Sequence, residues 1–435
     1  MFAQANGQNN ITSSPYSLFG IGDPLPLNNT MGLSMGDVKY ALARPFYVNS
    51  ANPASYASLK AATFSFGAML NRTRTFNETT SQDNDNGTLR YFALGIPLHK
   101  KIGISIGAKP FTSLGYGIQF NSLNTPSGDY YTRYEGEGGL SIAYGGIGFK
   151  VLEDSIQSLN LGTNANFYFG NKRQTTLNNL ETTPGALNAI FMDNFVTNDF
   201  GFDVGLNYSV KLHKLFKVEN SKESTLTLGG SYSIPTHLKT RFEAFSGAFF
   251  YNGSRAVIVT DTLNYQLDST SIYLPARYGI GLNYQLYNRH TGSLLIVEGD
   301  YEYNGWSKLE VNGKNKGLEN SNRYSVGVQL IPEVGAVRQF FSVIRYRAGF
   351  NYTSTRINVG GDQIEDISGS FGFGIPLVKS KSIYPSSSTI DFGVVVGNRG
   401  TVSGGLIREQ YTNIHIGLSF SPNYWDRWFK KRKIN

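Results

Sequence analysis

The chain has 435 residues and a mean hydropathy of −0.25, with no run of about 18 uncharged apolar residues, so membrane-spanning helices are excluded. Charged residues are only 16%, while Gly (49), Tyr (27) and Phe (29) are abundant, which fits a β-protein with an unusual surface. The absence of cysteine excludes disulfides, thiolate metal sites and a Cys nucleophile. The five histidines (His99, His213, His237, His290, His415) show no ligand spacing, and the net charge of +8 forms no basic stripe, so neither a metal nor nucleic acid is expected.

The opening Met1-Phe2-Ala3-Gln4-Ala5-Asn6 is too short and polar for a secretory signal, and the expectation is that such a segment has been removed. Residues 1–60 hold Pro15, Pro24, Pro26, Pro45 and Pro53, five of the fifteen prolines, and show no sustained period. They read as an irregular plug with a short helix around Met31–Leu42.

From Ala61 the pattern turns to period two. Phe64, Phe66, Ala68 and Leu70 share one face with Ser65 and Gly67 on the other; Ile102, Ile104 and Ile106 alternate with Gly103, Ser105 and Gly107. Tyr278–Leu286, Tyr324–Leu330, Ile390–Val396 and Ile414–Phe420 repeat the scheme. About fourteen strands are expected, near 61–72, 88–98, 101–120, 129–151, 158–172, 196–213, 223–244, 270–287, 292–311, 317–331, 339–355, 363–377, 386–400 and 406–421. Their length, and a minority face of Gly, Ser, Thr, Asn and Gln rather than Lys and Glu, argue for a closed antiparallel transmembrane β-barrel over a soluble sandwich. An even count lets the first and last strands pair, and closure is needed because unpaired backbone in hydrocarbon is costly. The polar stretches Asn77–Gly87, Asn178–Asp193 and Phe245–Asp268 read as outer loops. Pro97–Lys101, His213–Lys222, Tyr287–Thr291 and Pro376–Tyr384 read as short turns at the other end. Residues 1–60 are then a hatch, 61–421 the barrel, and 422–435 a basic periplasmic tail ending in Lys430, Lys431, Arg432 and Lys433.

Glu298, Asp300 and Glu302 alternate with apolar and aromatic neighbours and so share one face, as do Arg345 and Arg347 two strands on. A charge network in the lumen is expected. Carboxylates in such an arrangement could serve a glycosidase, but no Gly-x-Ser-x-Gly elbow or triad accompanies them, and no enzyme is expected. Gly145-Gly146-Ile147-Gly148 has no helix after it and reads as strand curvature rather than a phosphate loop. Pro110, Gly115 and Gly117 interrupt a long strand, either as plain curvature or as an opening in the wall.

The run Thr30-Met31-Gly32-Leu33-Ser34-Met35-Gly36-Asp37, followed by Asn52-Pro53-Ala54 before the first strand, resembles the FadL-type family of outer-membrane transporters for long-chain fatty acids and other hydrophobic compounds. Asp300-Tyr301-Glu302-Tyr303-Asn304-Gly305-Trp306-Ser307, the stretch Gly107 to Phe120, and Arg347-Ala348-Gly349-Phe350 resemble later parts of that family, in order along nearly the whole chain. The resemblance implies a fourteen-stranded barrel of the Gram-negative outer membrane, plugged by a hatch carrying Asn52, Pro53 and Ala54. Hydrophobic small molecules or lipids would pass without cofactor and leave sideways at a strand-three kink near Gly115. An apolar pocket near the hatch is part of that expectation. Fifteen residues follow Phe420, a departure that favours the alternative, a barrel partner or shuttle subunit of an outer-membrane protein-secretion machinery.

Overall fold

In the computed structural model, the structure describes residues 12–122, 130–180, 188–216, 222–251, 257–336, 338–377, 388–402 and 406–421. Fourteen antiparallel strands close into a barrel. They are β1 Thr63–Phe76, β2 Ser81–His99, β3 in two parts (Ile102–Pro110 and Thr112–Ser122), β4 Tyr130–Glu153, β5 Gln157–Leu180 and β6 Asn188–Lys211. β7 (Lys222–Ser233 and Thr236–Tyr251) and β8 (Val257–Leu274 and Arg277–Asn288) are each broken at a proline, Pro235 and Pro275. β9 Leu294–Asn304, β10 Ser321–Ile331, β11 Arg345–Val359, β12 Asp362–Pro376, β13 Thr389–Gly400 and β14 Arg408–Phe420 complete the wall. Closure is made by β1 on β14, in register from Phe64↔Phe420 to Phe76↔Arg408.

The period-two pattern sorts as expected. Phe66, Ile280, Val326, Phe371 and Ile416 point outward and are exposed, while Ser65, Asn283 and Ser325 are buried on the inner face. At one level of the wall, Tyr278 stacks on Tyr303, and Tyr301, Tyr324 and Tyr352 form a row with ring centroids 5.2 and 6.4 Å apart. Such a row suits the boundary between hydrocarbon and headgroups.

Several strands are longer than the sequence pattern implied. β4, β5 and β6 run 24 residues each, about 80 Å at 3.4 Å per residue, so the wall stands well above any bilayer on that side. Much of Asn77–Gly87, Asn178–Asp193 and Phe245–Asp268 is therefore strand, not loop. Asn and Asp disfavour strands, but at Ser81–Gly87 the β1 partner compensates. Arg72 stands opposite Asp85 and Arg74 opposite Asp83, with ion-pair distances of 3.8 and 3.3 Å. The expected helix at Met31–Leu42 shrinks to one turn, Thr30–Leu33, because Gly36 and Asp37 take left-handed φ of 71° and 68°. The tail expected at 422–435 lies outside the described residues.

Val326, outward near the middle of β10, gives a direct check of the lipid-facing assignment. Val326→Arg is expected to cost about 2–4 kcal/mol, read as a lowered midpoint in denaturant titrations of refolding into lipid vesicles.

Candidate functional site: hatch, cavity and wall break

Residues 12–60, called the hatch below, pack inside the barrel, and their backbone lies directly on glycines of the wall. The short 3-10 helix Pro53–Ser58 is capped by Asn52, whose side chain accepts from the Ala54 N–H at 3.1 Å; proline at its first position fits a helix start. Asn52 Nδ2 also donates to Tyr40 O (2.6 Å) and Asn207 Oδ1 (3.0 Å). Beneath this helix a Cβ on Gly162 would lie 2.5 Å from the Pro53 carbonyl, one on Gly148 2.8 Å from it, and one on Gly103 1.9 Å from the Tyr56 oxygen. Farther round, Gly229 and Gly281 seat Tyr40 and Ala41, Gly327 and Gly349 seat Met35 and Gly36, and Gly393 seats Ser34. The cluster Gly145–Gly148, read above as curvature, is thus in part a docking surface: Gly146 and Gly148 face Tyr56 and Pro53.

The three carboxylates of β9 also face the hatch. Asp300 Oδ2 accepts from the backbone N–H of Lys39 and of Tyr40 (2.5 and 3.0 Å), and Glu298 Oε1 from that of Ala41 (3.1 Å). Glu302 pairs with Lys39 Nζ at 2.8 Å and accepts from the Tyr40 hydroxyl at 2.5 Å. Asp37 bridges Lys39 (3.0 Å) and Arg323 (2.7 Å). The structure places Arg347 elsewhere. It is 1% exposed, with Nη1 on Asp391 at 2.6 Å and Nε on Gln329 at 2.8 Å, and Arg345 lies in the field of the same Asp391. The acidic and basic groups singled out in the sequence therefore belong to two clusters. Lys39 and Arg323, the cations that meet these carboxylates and Asp37, carried no such signal: Lys39 lies far from Glu302 in sequence, and Arg323 is the lone charge on β10, opposite Glu302.

The hatch residues Asp23–Pro24 form a two-residue strand on the inner edge of β3, in register with Ser113 and Thr112, and Leu25 N–H donates to Phe111 O at 2.9 Å. Arg399 grips Asp23 with two bonds of 2.8 and 3.0 Å, and Arg356 stands 3.5 Å away. Burial by itself raises the Asp23 carboxyl, but the two guanidiniums outweigh it and hold it below the usual value. Its stabilising share is present above the ordinary carboxylate range and is lost as pH falls through the depressed value.

Beside this strand the wall is interrupted. The β2–β3 ladder runs from His99↔Ile102 to Phe92↔Ala108. Pro110 has no N–H to continue it, and Phe111 N–H turns to Leu140 O at 2.8 Å. The second part of β3 pairs with β4 and with the hatch, and among the described residues no ladder joins it to Ser81–Tyr91 of β2. Residues 111–118 are all buried, as expected of a segment that has left the wall for the interior. Gly115 docks the hatch, its N–H donating to Ser17 Oγ at 3.1 Å, while Gly117 lies in the ladder opposite Glu135. The bend itself is made on β4, where Gly138 and Gly139 adopt φ of 105° and 141°, and a Cβ on Gly139 would lie 2.3 Å from Thr112 O. The pair went unremarked in the sequence because it sits inside a regular strand pattern.

Between hatch and wall lies a cavity of about 240 Å³, smaller than the roughly 300–1,000 Å³ of ordinary small-molecule pockets. It is the pocket expected beside the hatch in being lined by apolar residues, Leu33, Met69 and Trp306 among them, but it is not purely apolar. Seven Lys or Arg and five Asp or Glu side chains line it, beside Leu25, Leu27 and Phe111.

Comparison with known proteins gives the same fold. The CymD monoaromatic hydrocarbon channel matches at 14% identity over 93% of this chain and 98% of that one, with a TM-score of 0.51. A FadL homologue from Pseudomonas aeruginosa matches at 13% identity over 92% and 98% (TM-score 0.53), and the toluene transporter TodX from Pseudomonas putida at 14% over 92% and 99% (0.52). At these identities the likeness is one of fold. No curated protein matches the sequence. The family model described as BamG matches residues 1–435.

Two substitutions test the seating. Gly162→Val is expected to lift Pro53–Ser58 and to cost about 1–3 kcal/mol. Asp23→Asn leaves two buried guanidiniums without their shared carboxylate, at about 3–5 kcal/mol. Limited proteolysis should show earlier cleavage within residues 12–60 in both variants, with the barrel core intact.

Proposed function

The chain belongs to the BamG family, and from that premise and the interrupted wall at β3 we propose an outer-membrane protein that passes hydrophobic compounds sideways between β2 and the second part of β3. The break beside Pro110 carries this reading. The structural neighbours named as hydrocarbon channels share the fold and support it. The hatch blocks the straight path through the lumen, so a solute entering from outside would turn at the cavity and leave through the wall. No catalytic or cofactor role is proposed.

Two observations favour a second reading, a structural partner of other outer-membrane proteins. The hatch is held by buried ion pairs, and the cavity is small and charged. A barrel built so serves a docking role as well as a conducting one.

Uptake separates them. In liposomes holding the purified protein, a fluorescent long-chain alkyl probe should enter faster than in protein-free vesicles. Gly139→Val, which clashes with Thr112 O, should slow it about tenfold by disturbing the bend. Entry no faster than in empty vesicles would remove the passage reading and leave the partner role.

A further inference from the structure

We propose that Arg90 and Lys109 form a binding site for a small oxyanion, free or as the headgroup of an amphiphile, at the lumen side of the wall break. Arg90 is the extra residue of a β-bulge: Gly67 pairs with Tyr91 and Ala68 with Leu89, leaving Arg90 without a partner position on β1. A bulge re-aims a side chain. Here it puts Arg90 and Tyr91 on the inner side together, between outward-facing Leu89 and Phe92. Lys109 follows Ala108, the last β3 residue paired with β2. The two cations thus flank the point where the wall parts.

Both are buried, 3% and 9% exposed, and both line the cavity. Arg90 Nη2 donates to Pro26 O, and Lys109 Nζ to Ser50 Oγ at 2.8 Å. Neither forms an ion pair with a carboxylate among the described residues. Arg90 Nε and Nη1 are buried without a hydrogen-bond partner. Asp37, whose charge reaches Arg90, pairs with Lys39 and Arg323 through Oδ2, and its Oδ1 makes no hydrogen bond among the described residues, so it does not bond Arg90 directly. A buried guanidinium with no carboxylate bonded to it is expensive, whereas an oxyanion would take charge-assisted bonds from it and from the ammonium. Phosphate, sulfate and carboxylate share that chemistry and fit about 240 Å³. Because Pro26 and Ser50 belong to the hatch, an anion here also ties the hatch to the wall, whether or not any solute crosses.

The test is calorimetric titration of the full chain in nonionic detergent with inorganic phosphate, ionic strength held with sodium chloride. Saturable binding is expected, weakened about tenfold or more by Arg90→Gln and by Lys109→Gln. Arg241→Gln, at an exposed pair with Glu243, should bind as the wild type does. A parallel titration with decyl phosphate distinguishes the sources: tighter binding than phosphate assigns a headgroup, equal binding a free ion. Should either variant fail to fold, selenate soaked into wild-type crystals should give an anomalous peak within hydrogen-bonding reach of Arg90. No binding of either probe to the wild type, equal binding by Arg90→Gln, or no peak at Arg90 would overturn the proposal.

Discussion

The hatch backbone lies against bare glycine on the inner wall, and this contact governs the rest of the molecule. A side chain at Gly103, Gly162 or Gly327 would overlap hatch backbone atoms, at 1.9, 2.5 and 2.2 Å. Interiors are close-packed and transmit strain rather than absorb it, so wall and hatch can be stable only as a fitted pair. This also explains the residues of the inner face. Small residues there leave room for a second piece of chain, and the polar ones supply its hydrogen bonds, as Asn207 does for Asn52 and Asn164 for Tyr56.

Charge then fixes where the fitted pair sits. Each major cross-link joins one hatch residue to one wall residue: Asp23 to Arg399, Asp37 to Arg323, Lys39 to Glu302. Buried pairs add little net stability over apolar packing, but breaking one is costly. Their effect is therefore on register, holding the hatch in one of the many positions that a smooth glycine surface would allow. The carboxylates of β9 add to this by accepting three consecutive backbone N–H groups, those of Lys39, Tyr40 and Ala41, which would otherwise be buried donors without partners.

The barrel was legible in the sequence because lipid and lumen impose opposite demands on alternate residues, and Tyr324–Leu330 or Ile414–Phe420 display them plainly. The inward direction of Glu298, Asp300 and Glu302 followed from the same alternation. Their partners did not: Lys39 meets Glu302 only through the packing of the hatch, and Arg323, the lone charge on β10, stands opposite Glu302 and pairs with hatch Asp37. Outside the membrane the demand lapses. Ser81–Gly87 is polar on both faces and reads as loop, although cross-strand pairs with Arg72 and Arg74 make it strand. The bulge at Arg90 was hidden for a related reason: one added residue reverses facing locally and leaves no compositional trace.

The same closure bears on the wall break. Unpaired strand edges are costly in hydrocarbon, yet the second part of β3 has separated from β2. The hatch supplies part of the missing partner, with Asp23 and Pro24 pairing at Ser113 and Thr112. The β2 edge left opposite is polar from Ser81 to Thr88, suited to water rather than acyl chains. Because Asp23 is gripped by Arg399 and Arg356, withdrawing the hatch strand would expose a β edge and two guanidiniums at once. Expelling the hatch is thus costly. The seated hatch and the wall break are therefore parts of one arrangement, with Asp23 and Pro24 paired to β3 and Leu25 N–H bonded to Phe111 O.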